Sequence, residues 1–270
     1  MKKICELLKI KNIKICKLVF VLIIFLLSFP LLLQLVKLFP DFTGGIKIVF
    51  SLLNNYLAAF ISGVIYTVVI SFLSILLGTI LGAILALLIA NSRPNTKSKK
   101  FLTFFLNVYI YSFLAIPALC LIIILYYNNY ISHLSSITTS VIALGINLSP
   151  FAAKIIAAGI RNIDPVYLDA AKTFGYSHTQ IIFKFKFPMI MRNSLQQLLV
   201  QWFTTIKLSS LTSVIGVGEI LHRSQQVIRE TYQVEATYVI MVLCYMVVVI
   251  PIAIIADYYH NTTNYTSNGK

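Results

Sequence analysis

"LDAAKTFGYSHTQIIFKFKFP", residues 168–188, is a charged, patterned stretch in a chain that is otherwise strongly apolar. Just upstream, Asp164 and Pro165 are typical of a helix N-cap and a first helical position, and Gly175 is typical of a helix stop. Ser177 begins a second short helical pattern, which we expect Pro188 to end. The pattern predicts two short helices joined by a glycine elbow. Their apolar side chains favour a docking surface over a plain solvated connector.

The rest of the chain has the composition of an integral membrane protein. Of its 270 residues, 59% are hydrophobic and only 11% are charged, and the mean hydropathy is +0.88. A soluble domain carries about 25% charged residues, so that class is excluded. The four cysteines show neither a metal-site spacing nor a disulfide framework, and we expect no bound metal.

Uncharged runs of sufficient length predict six transmembrane helices, and therefore an all-α polytopic membrane protein. The first is residues 18–36, interpreted as a retained helix rather than a cleaved signal peptide. The second covers 61–90, preceded by an interfacial segment at 51–60. The remaining four are two helices within 101–153, separated by a polar break at 128–133, then 189–212 and 236–256.

The distribution of basic residues sets the expected orientation. With the N-terminus inside, 16 Lys and Arg residues fall in cytoplasmic segments and four fall outside. Because Lys and Arg collect on the cytoplasmic side, we expect both termini and the loop 161–188 to be cytoplasmic. Topology thus accounts for most of the net charge of +14, and no nucleic-acid partner is implied.

The loop resembles the EAA loop of ATP-binding-cassette (ABC) importer permeases: an acidic residue and two alanines, then a glycine, then an apolar run to a proline. "KLSSLTSVIGVGEIL", residues 207–221, resembles the segment that marks the polar amino-acid uptake branch of that family. The first core helix agrees with the same branch at several small or hydroxyl residues: Gly63, Thr67, Ser71, Gly78 and Gly82.

This resemblance implies a type I ABC importer permease fold. The permease domain is 58–258, after a basic N-terminus, extra helix and outer loop at 1–57, and before a short tail at 259–270. Two permease subunits, identical or different, would form the path through the lipid bilayer. ABC ATPase subunits would dock on the loop, and an extracytoplasmic solute-binding protein would deliver the solute. Carried over by position, the docking residues are Asp169, Ala170, Ala171, Gly175 and Pro188.

The implied function is the permease subunit of an importer for an amino acid or related small polar solute, in the bacterial cytoplasmic (inner) membrane. The alternatives are a different small solute or, in another class, an ion-coupled secondary transporter. The latter usually shows internal repeats, which are not evident here. No GxxxxGK[ST] motif occurs, so we expect ATP and magnesium on a partner ATPase and no catalysis or cofactor on this chain.

Polar residues within the apolar runs are candidates for a solute path, because such side chains usually face the bundle or a wet cavity. Helical spacing places two sets of polar residues in stripes. One set is Ser194, Gln197, Gln201, Thr205, Ser209 and Thr212, and the other is Ser136, Ser140, Asn147 and Lys154. The alternative is that such residues only hydrogen-bond neighbouring helices together.

Two lysines within the predicted helices each have more than one possible role. Lys154 either snorkels to the inner surface, attracts a solute carboxylate or pairs across a permease dimer. A straight helix places Lys207 opposite Gln197 and Gln201, whereas the resemblance assigns Lys207, Ser209 and Ser210 to the gate or substrate site.

Overall fold

The computed structural model describes residues 42–91, 97–128 and 134–265, and all regular structure in these ranges is helical. The elements are α1 (Phe42–Asn91), α2 (Lys97–Ala115), α3 (Ala118–Tyr127), α4 (Ser136–Arg161), α5 (Pro165–Thr173), α6 (His178–Gln180), a π-helical turn (Ile181–Lys186), α7 (Phe187–Leu208), a 3-10 turn (Ser209–Ile215), α8 (Ile220–Thr231) and α9 (Val234–Tyr265). The predicted first helix, 18–36, lies outside the described residues.

Within the described ranges, four stretches are long and apolar enough to cross a membrane: Gly44–Ala90, Ser136–Arg161, His178–Ile215 and Val234–Ile254. The pair α2 and α3 passes the same test as a fifth, with a bend of 99° between its two helices. The all-α, multi-span prediction is thereby confirmed for this part of the chain.

The sharp bend between α2 and α3 occurs at Pro117. Proline has no N–H to continue the hydrogen bonds of α2, and its ring disfavours helical geometry in the preceding residue. Pro117 itself is extended, with φ −60° and ψ 136°, and serves as the N-cap of α3. The sequence predicted one helix from 101 to the break at 128, and this is corrected to two helices at nearly a right angle.

α1 extends beyond its predicted span. Its 50 residues would reach about 75 Å as a straight helix, against roughly 30 Å for the hydrocarbon core. Non-helical angles occur at Tyr56, within the predicted interfacial segment. Leu52 and Phe60, on either side of this kink, pack with Val227 of α8 and Ile240 of α9. The part of α1 around this kink therefore packs against α8 and α9.

α4 is the central helix, and it lies close against α1 because small residues face each other. A Cβ added at Gly82 would lie 2.5 Å from the Cβ of Ala152, and one added at Gly78 would lie 2.7 Å from the carbonyl oxygen of Gly145. Such contacts exclude any larger residue without a shift of one helix. Between Thr139 and Ile160, every residue of α4 except one is buried or half-buried.

α7 is joined to this pair by polar as well as apolar contacts. The indole Nε1 of Trp202 donates to Thr79 Oγ1 of α1 at 3.1 Å. Ser194 Oγ donates to the carbonyl oxygen of Ile155 in α4 at 3.4 Å. Leu198 lies between them in an apolar cluster with α1 and α4 residues. The helix that follows the 168–188 loop is thus fixed to the centre of the bundle.

Candidate functional site

The loop between α4 and α7 has the two capped helices that its sequence predicted. Asp164 accepts a hydrogen bond from the backbone N–H of Val166, and Pro165 begins α5. Gly175 ends this helix in the left-handed region, at φ 78°, where a side chain is disfavoured. Ser177 and Gln180 form a reciprocal capping box at the start of α6. These local hydrogen bonds give the loop a defined shape.

The loop presents a largely apolar outer surface. Phe174 is 82% exposed, and Val166, Tyr167 and Phe183 are also exposed. Solvated apolar side chains at this density are typical of a surface that binds another protein.

A few buried side chains pack the two short helices of the loop against each other. Ala171 and Ile181 are buried, and the rings of Tyr176 and Phe185 meet edge to face with centroids 5.1 Å apart. The exposed aromatic residues therefore stand on a small packed base.

The predicted docking residues differ in what they present. Asp169, Ala170, Gly175 and Pro188 are exposed, whereas Ala171 faces inward. Asp169 Oδ1 accepts from Lys172 Nζ at 2.7 Å, an exposed pair within α5. An exposed pair of this kind contributes about 0.2–1 kcal/mol, so a partner cation can replace it at low cost.

The second helix of the loop does not end at Pro188, contrary to the sequence prediction. α6 leads through the π-helical turn directly into α7, and Pro188, which has no N–H to donate, lies in the first turn of α7 just after that π-helical turn. Helical backbone therefore runs from His178 through the 3-10 turn to Ile215. This continuous helical rod connects the loop to the bundle.

Some residues of the predicted polar stripe of α7 are buried, and others are exposed. Ser194 and Thr205 are buried, and Thr205 Oγ1 bonds the backbone carbonyl of Gln201. Gln201 is half-buried, and Gln197 is exposed. Ser194 and Thr205 thus serve packing within this chain, and Gln197 is available to another molecule.

Lys207 is exposed near the end of the same helix that exposes Gln197. It lies on the side of α7 that also carries the exposed residues Gln196, Val200 and Thr204. Gln197 is exposed at the edge of the same face, so the expectation that Lys207 lies opposite Gln197 is corrected. A polar exposed face of this kind on a membrane-spanning helix indicates contact with water or protein rather than lipid.

The helix changes to 3-10 geometry just after Lys207. Ser209 and Thr212 are buried, and the Ser209, Ser210 and Thr212 hydroxyls each donate to a backbone carbonyl three residues earlier. The predicted end of this span at 212 is thus corrected: α7 ends at Leu208, and the tighter turn continues to Ile215. Gly216, at φ 78°, then reverses the chain.

Lys154 is the one residue between Thr139 and Ile160 of α4 that is exposed. Its Nζ lies 4.4 Å from the ring centroid of Tyr111 in α2, a cation–π arrangement. Tyr109 and Ser149 share a hydrogen bond of 3.0 Å between the same two helices. Asn147, one helical repeat before Lys154, is buried. The lysine is thus held over an aromatic ring, which the sequence did not indicate.

The sequence also did not single out Glu219, which is completely buried. It caps α8 by accepting from the backbone N–H groups of Leu221 and His222 at 2.9 and 2.8 Å, and it accepts from Tyr245 Oη of α9 at 2.9 Å. Burial raises the pKa of this carboxyl, and the hydrogen bonds oppose that shift. An acidic residue directly before an amphipathic helix was the available sequence signal.

Comparison with known families now identifies the group to which the chain is related. The family described as binding-protein-dependent transport system inner membrane component matches residues 78–264, well over half of the sequence. The chain belongs to this family. The match contains the exposed loop, α7 and α4, so the resemblance recognised in the sequence is confirmed.

Individual relatives of this permease are named for amino-acid transport. It is 26% identical over 145 residues to the probable glutamine ABC transporter permease protein GlnM of Bacillus subtilis, covering 53% of this chain and 67% of that protein. It is 29% identical over 111 residues to the arginine transport system permease protein ArtQ of the same organism, covering 41% and 51%. The alignments therefore span from half to two thirds of these two relatives.

Solved structures share its fold. A chain from the crystal structure of an amino acid ABC transporter with histidines matches with a TM-score of 0.66 and 26% identity, covering 78% of this permease and 96% of that chain. A chain of the inward-facing MetNI methionine ABC transporter matches with a TM-score of 0.65 at 17% identity, which supports the fold alone. The predicted ABC importer permease fold is confirmed.

Proposed function

We propose that this permease is the membrane-spanning subunit of an ABC importer that carries an amino acid or related small polar solute into a bacterial cell. The observation that supports this most strongly is the exposed α5–α6 loop, joined without a helix break to α7. Family membership and relatives named for glutamine and arginine transport support the solute class.

In this proposal the chain hydrolyses no ATP. A partner ATPase binds ATP and magnesium, and it holds the loop through Asp169, Ala170, Gly175 and the exposed aromatic side chains near them. When two ATPases close, each loop moves as a packed unit because Ala171 and Ile181 are buried beneath it. The rod from His178 to Ile215 transmits that movement to the path, and the path opens to the other side.

The solute path in this proposal runs along the exposed face of α7, where Gln197 and Lys207 lie, and past Lys154. A second permease subunit covers that face, because an exposed polar stripe at membrane depth is costly in lipid. An extracytoplasmic binding protein delivers the solute. The cytoplasmic position of the loop and both termini follows from the distribution of Lys and Arg.

Two substitutions in the loop test the docking role. Asp169→Arg reverses the charge offered to the ATPase. Gly175→Asp adds a charged side chain at the elbow, where an added Cβ meets nothing within 4 Å but the left-handed backbone is also strained by any side chain. We expect solute uptake per ATP hydrolysed to fall by about tenfold or more, the size of an interface hot spot. The measurement is uptake and ATP hydrolysis together, in proteoliposomes containing the assembled transporter.

The matched control is Asp164→Asn, which removes a charge from the same loop. Asparagine caps a helix about as well as aspartate, so we expect α5 to persist and coupled uptake to stay near the wild-type level. Normal coupling in both Asp169→Arg and Gly175→Asp would contradict the docking proposal.

A further inference from the structure

The spanning helices of this permease carry exposed lysines but almost no carboxylates. From α1 to α9 their acidic residues are Glu235 in the first turn of α9 and Asp257 beyond Ile254, so both lie at or past the ends of that span. Across the described ranges the ion pair found is Asp169 with Lys172, and no carboxylate pairs with Lys154 or Lys207. Among the residues that the structure describes, neither positive charge has an anionic partner.

Lys154 differs from an ordinary surface lysine, because the residues around it in α4 are covered. Between Thr139 and Ile160, α4 is covered by its neighbours everywhere except at Lys154. The ring of Tyr111, 62% exposed, lies under the ammonium group. This contact steadies the cation without neutralising it, and the three N–H donors still lack an anionic partner.

Lys207 provides a second cation on a different helix. It follows Thr204 on the exposed face of α7, at the end away from the loop, whereas Lys154 lies two turns from the loop end of α4. The two lysines therefore lie at different depths of the bilayer.

At the end of the bundle away from the loop, Arg223 adds a third cation. Its NH1 donates to Gln226 Oε1 at 2.9 Å, and its Nε is buried without a hydrogen-bond partner. Glu219 is close in sequence, but its two oxygens are completely buried and occupied by Leu221, His222 and Tyr245. Glu219 therefore does not neutralise Arg223, and the exposed carboxylates at this end are Glu230, near the end of α8, and Glu235, in the first turn of α9.

We propose that these cations make the path selective for small solutes of net negative charge, such as an acidic amino acid, and unfavourable for cationic ones. This inference rests on the proposed function and specifies its substrate class. A carboxylate near an ammonium in a partly desolvated path is attracted strongly, and a guanidinium is repelled by as much.

The test measures direct binding of three radiolabelled probes of similar size, L-glutamate, L-glutamine and L-arginine. The protein is the full transporter, purified with its ATPase in lipid nanodiscs and without the binding protein. We expect wild type to bind L-glutamate more tightly than L-glutamine, and L-arginine most weakly. Raising the salt concentration is expected to weaken L-glutamate binding and leave L-glutamine binding nearly unchanged.

Lys154→Gln and Lys207→Gln should each weaken L-glutamate binding by about tenfold, and L-glutamine binding by less than about twofold. Lys154→Arg, which keeps the charge, should retain most of the affinity. The matched control is Lys100→Gln, which removes an exposed lysine from the start of α2, outside the proposed path, and should leave L-glutamate binding unchanged.

An anionic lipid headgroup is the other possible source of a negative partner. Nanodiscs of phosphatidylcholine alone are therefore compared with nanodiscs that include phosphatidylglycerol. The same L-glutamate preference in both supports a solute site. A preference that depends on the anionic lipid, tighter binding of L-arginine, unchanged binding in both glutamine variants or no detectable L-glutamate binding overturns the proposal. The docking proposal is judged separately, by the coupling of Asp169→Arg.

Discussion

At the scale of single residues, Glu219 is a completely buried acidic residue that accepts three hydrogen bonds. Its carboxylate caps α8 and receives the Tyr245 hydroxyl, and it thereby ties α8 to α9 beside the turn at Gly216. Its neighbour Ile220 donates its backbone N–H to Thr67 Oγ1 of α1 at 3.3 Å. One acidic side chain thus organises the meeting point of three helices.

Glu219 predicts a pH dependence with a definite sign. Burial raises its folded-state pKa above the ordinary 4.5, so the folded protein holds this proton more tightly than the unfolded chain. The stabilisation is fully present below 4.5 and is lost as pH rises through the folded pKa. We expect the melting temperature of wild type to fall, relative to that of Glu219→Gln, which does not titrate, as the pH rises above 4.5.

The measurement is thermal unfolding of the purified permease in detergent, compared between wild type and Glu219→Gln at each pH. The difference between the two proteins isolates this carboxyl from the other titrating groups. Parallel curves for both proteins would show that the site has no raised pKa.

At the scale of elements, the contact between α1 and α4 depends on glycine. Gly82→Ala would place a methyl group 2.5 Å from the Ala152 Cβ and 2.8 Å from the Ser149 carbonyl oxygen. Overpacking of this kind costs about 1–3 kcal/mol. We expect a lower melting temperature for this variant in the same detergent assay.

Gly45→Ala in the same helix is the matched control, because nothing lies within 4 Å of an added Cβ there. Alanine favours a helix over glycine by up to about 1 kcal/mol, so we expect this variant to be neutral or slightly more stable. Equal losses in both variants would contradict a specific α1–α4 contact.

At the scale of the whole molecule, the orientation in the membrane decides which partner meets which surface. In the proposed function the loop faces the ATPase, and α8 then faces the opposite side because α7 and the 3-10 turn lie between them. In a chain whose native cysteines have been replaced, we expect Arg229→Cys to react with a membrane-impermeant maleimide on intact cells. Lys172→Cys should react only after the cells are opened. The reverse pattern would contradict the assigned orientation.

Much of this organisation could be predicted from the sequence, for a physical reason. Membrane class follows from composition, and helix ends at Asp164, Gly175 and Ser177 follow from hydrogen bonds between residues close in the chain. The prediction failed at Pro188, because a proline at the start of a helix and a proline after the end of one have the same local signal. It also missed the bend at Pro117. A proline at that position fits either a kinked helix or two separate helices, and only packing against neighbouring helices distinguishes the two.

By itself, then, the sequence determined the family, the all-helical membrane fold and the shape of the exposed loop, since these depend on composition and short-range bonding. Only the tertiary structure decided which polar residues of α7 are buried and which are available, because that depends on where α1 and α4 lie. It alone placed Lys154 over Tyr111 and Glu219 beside Tyr245. These partners are far apart in the chain, and helix packing, which no local pattern encodes, brings them together.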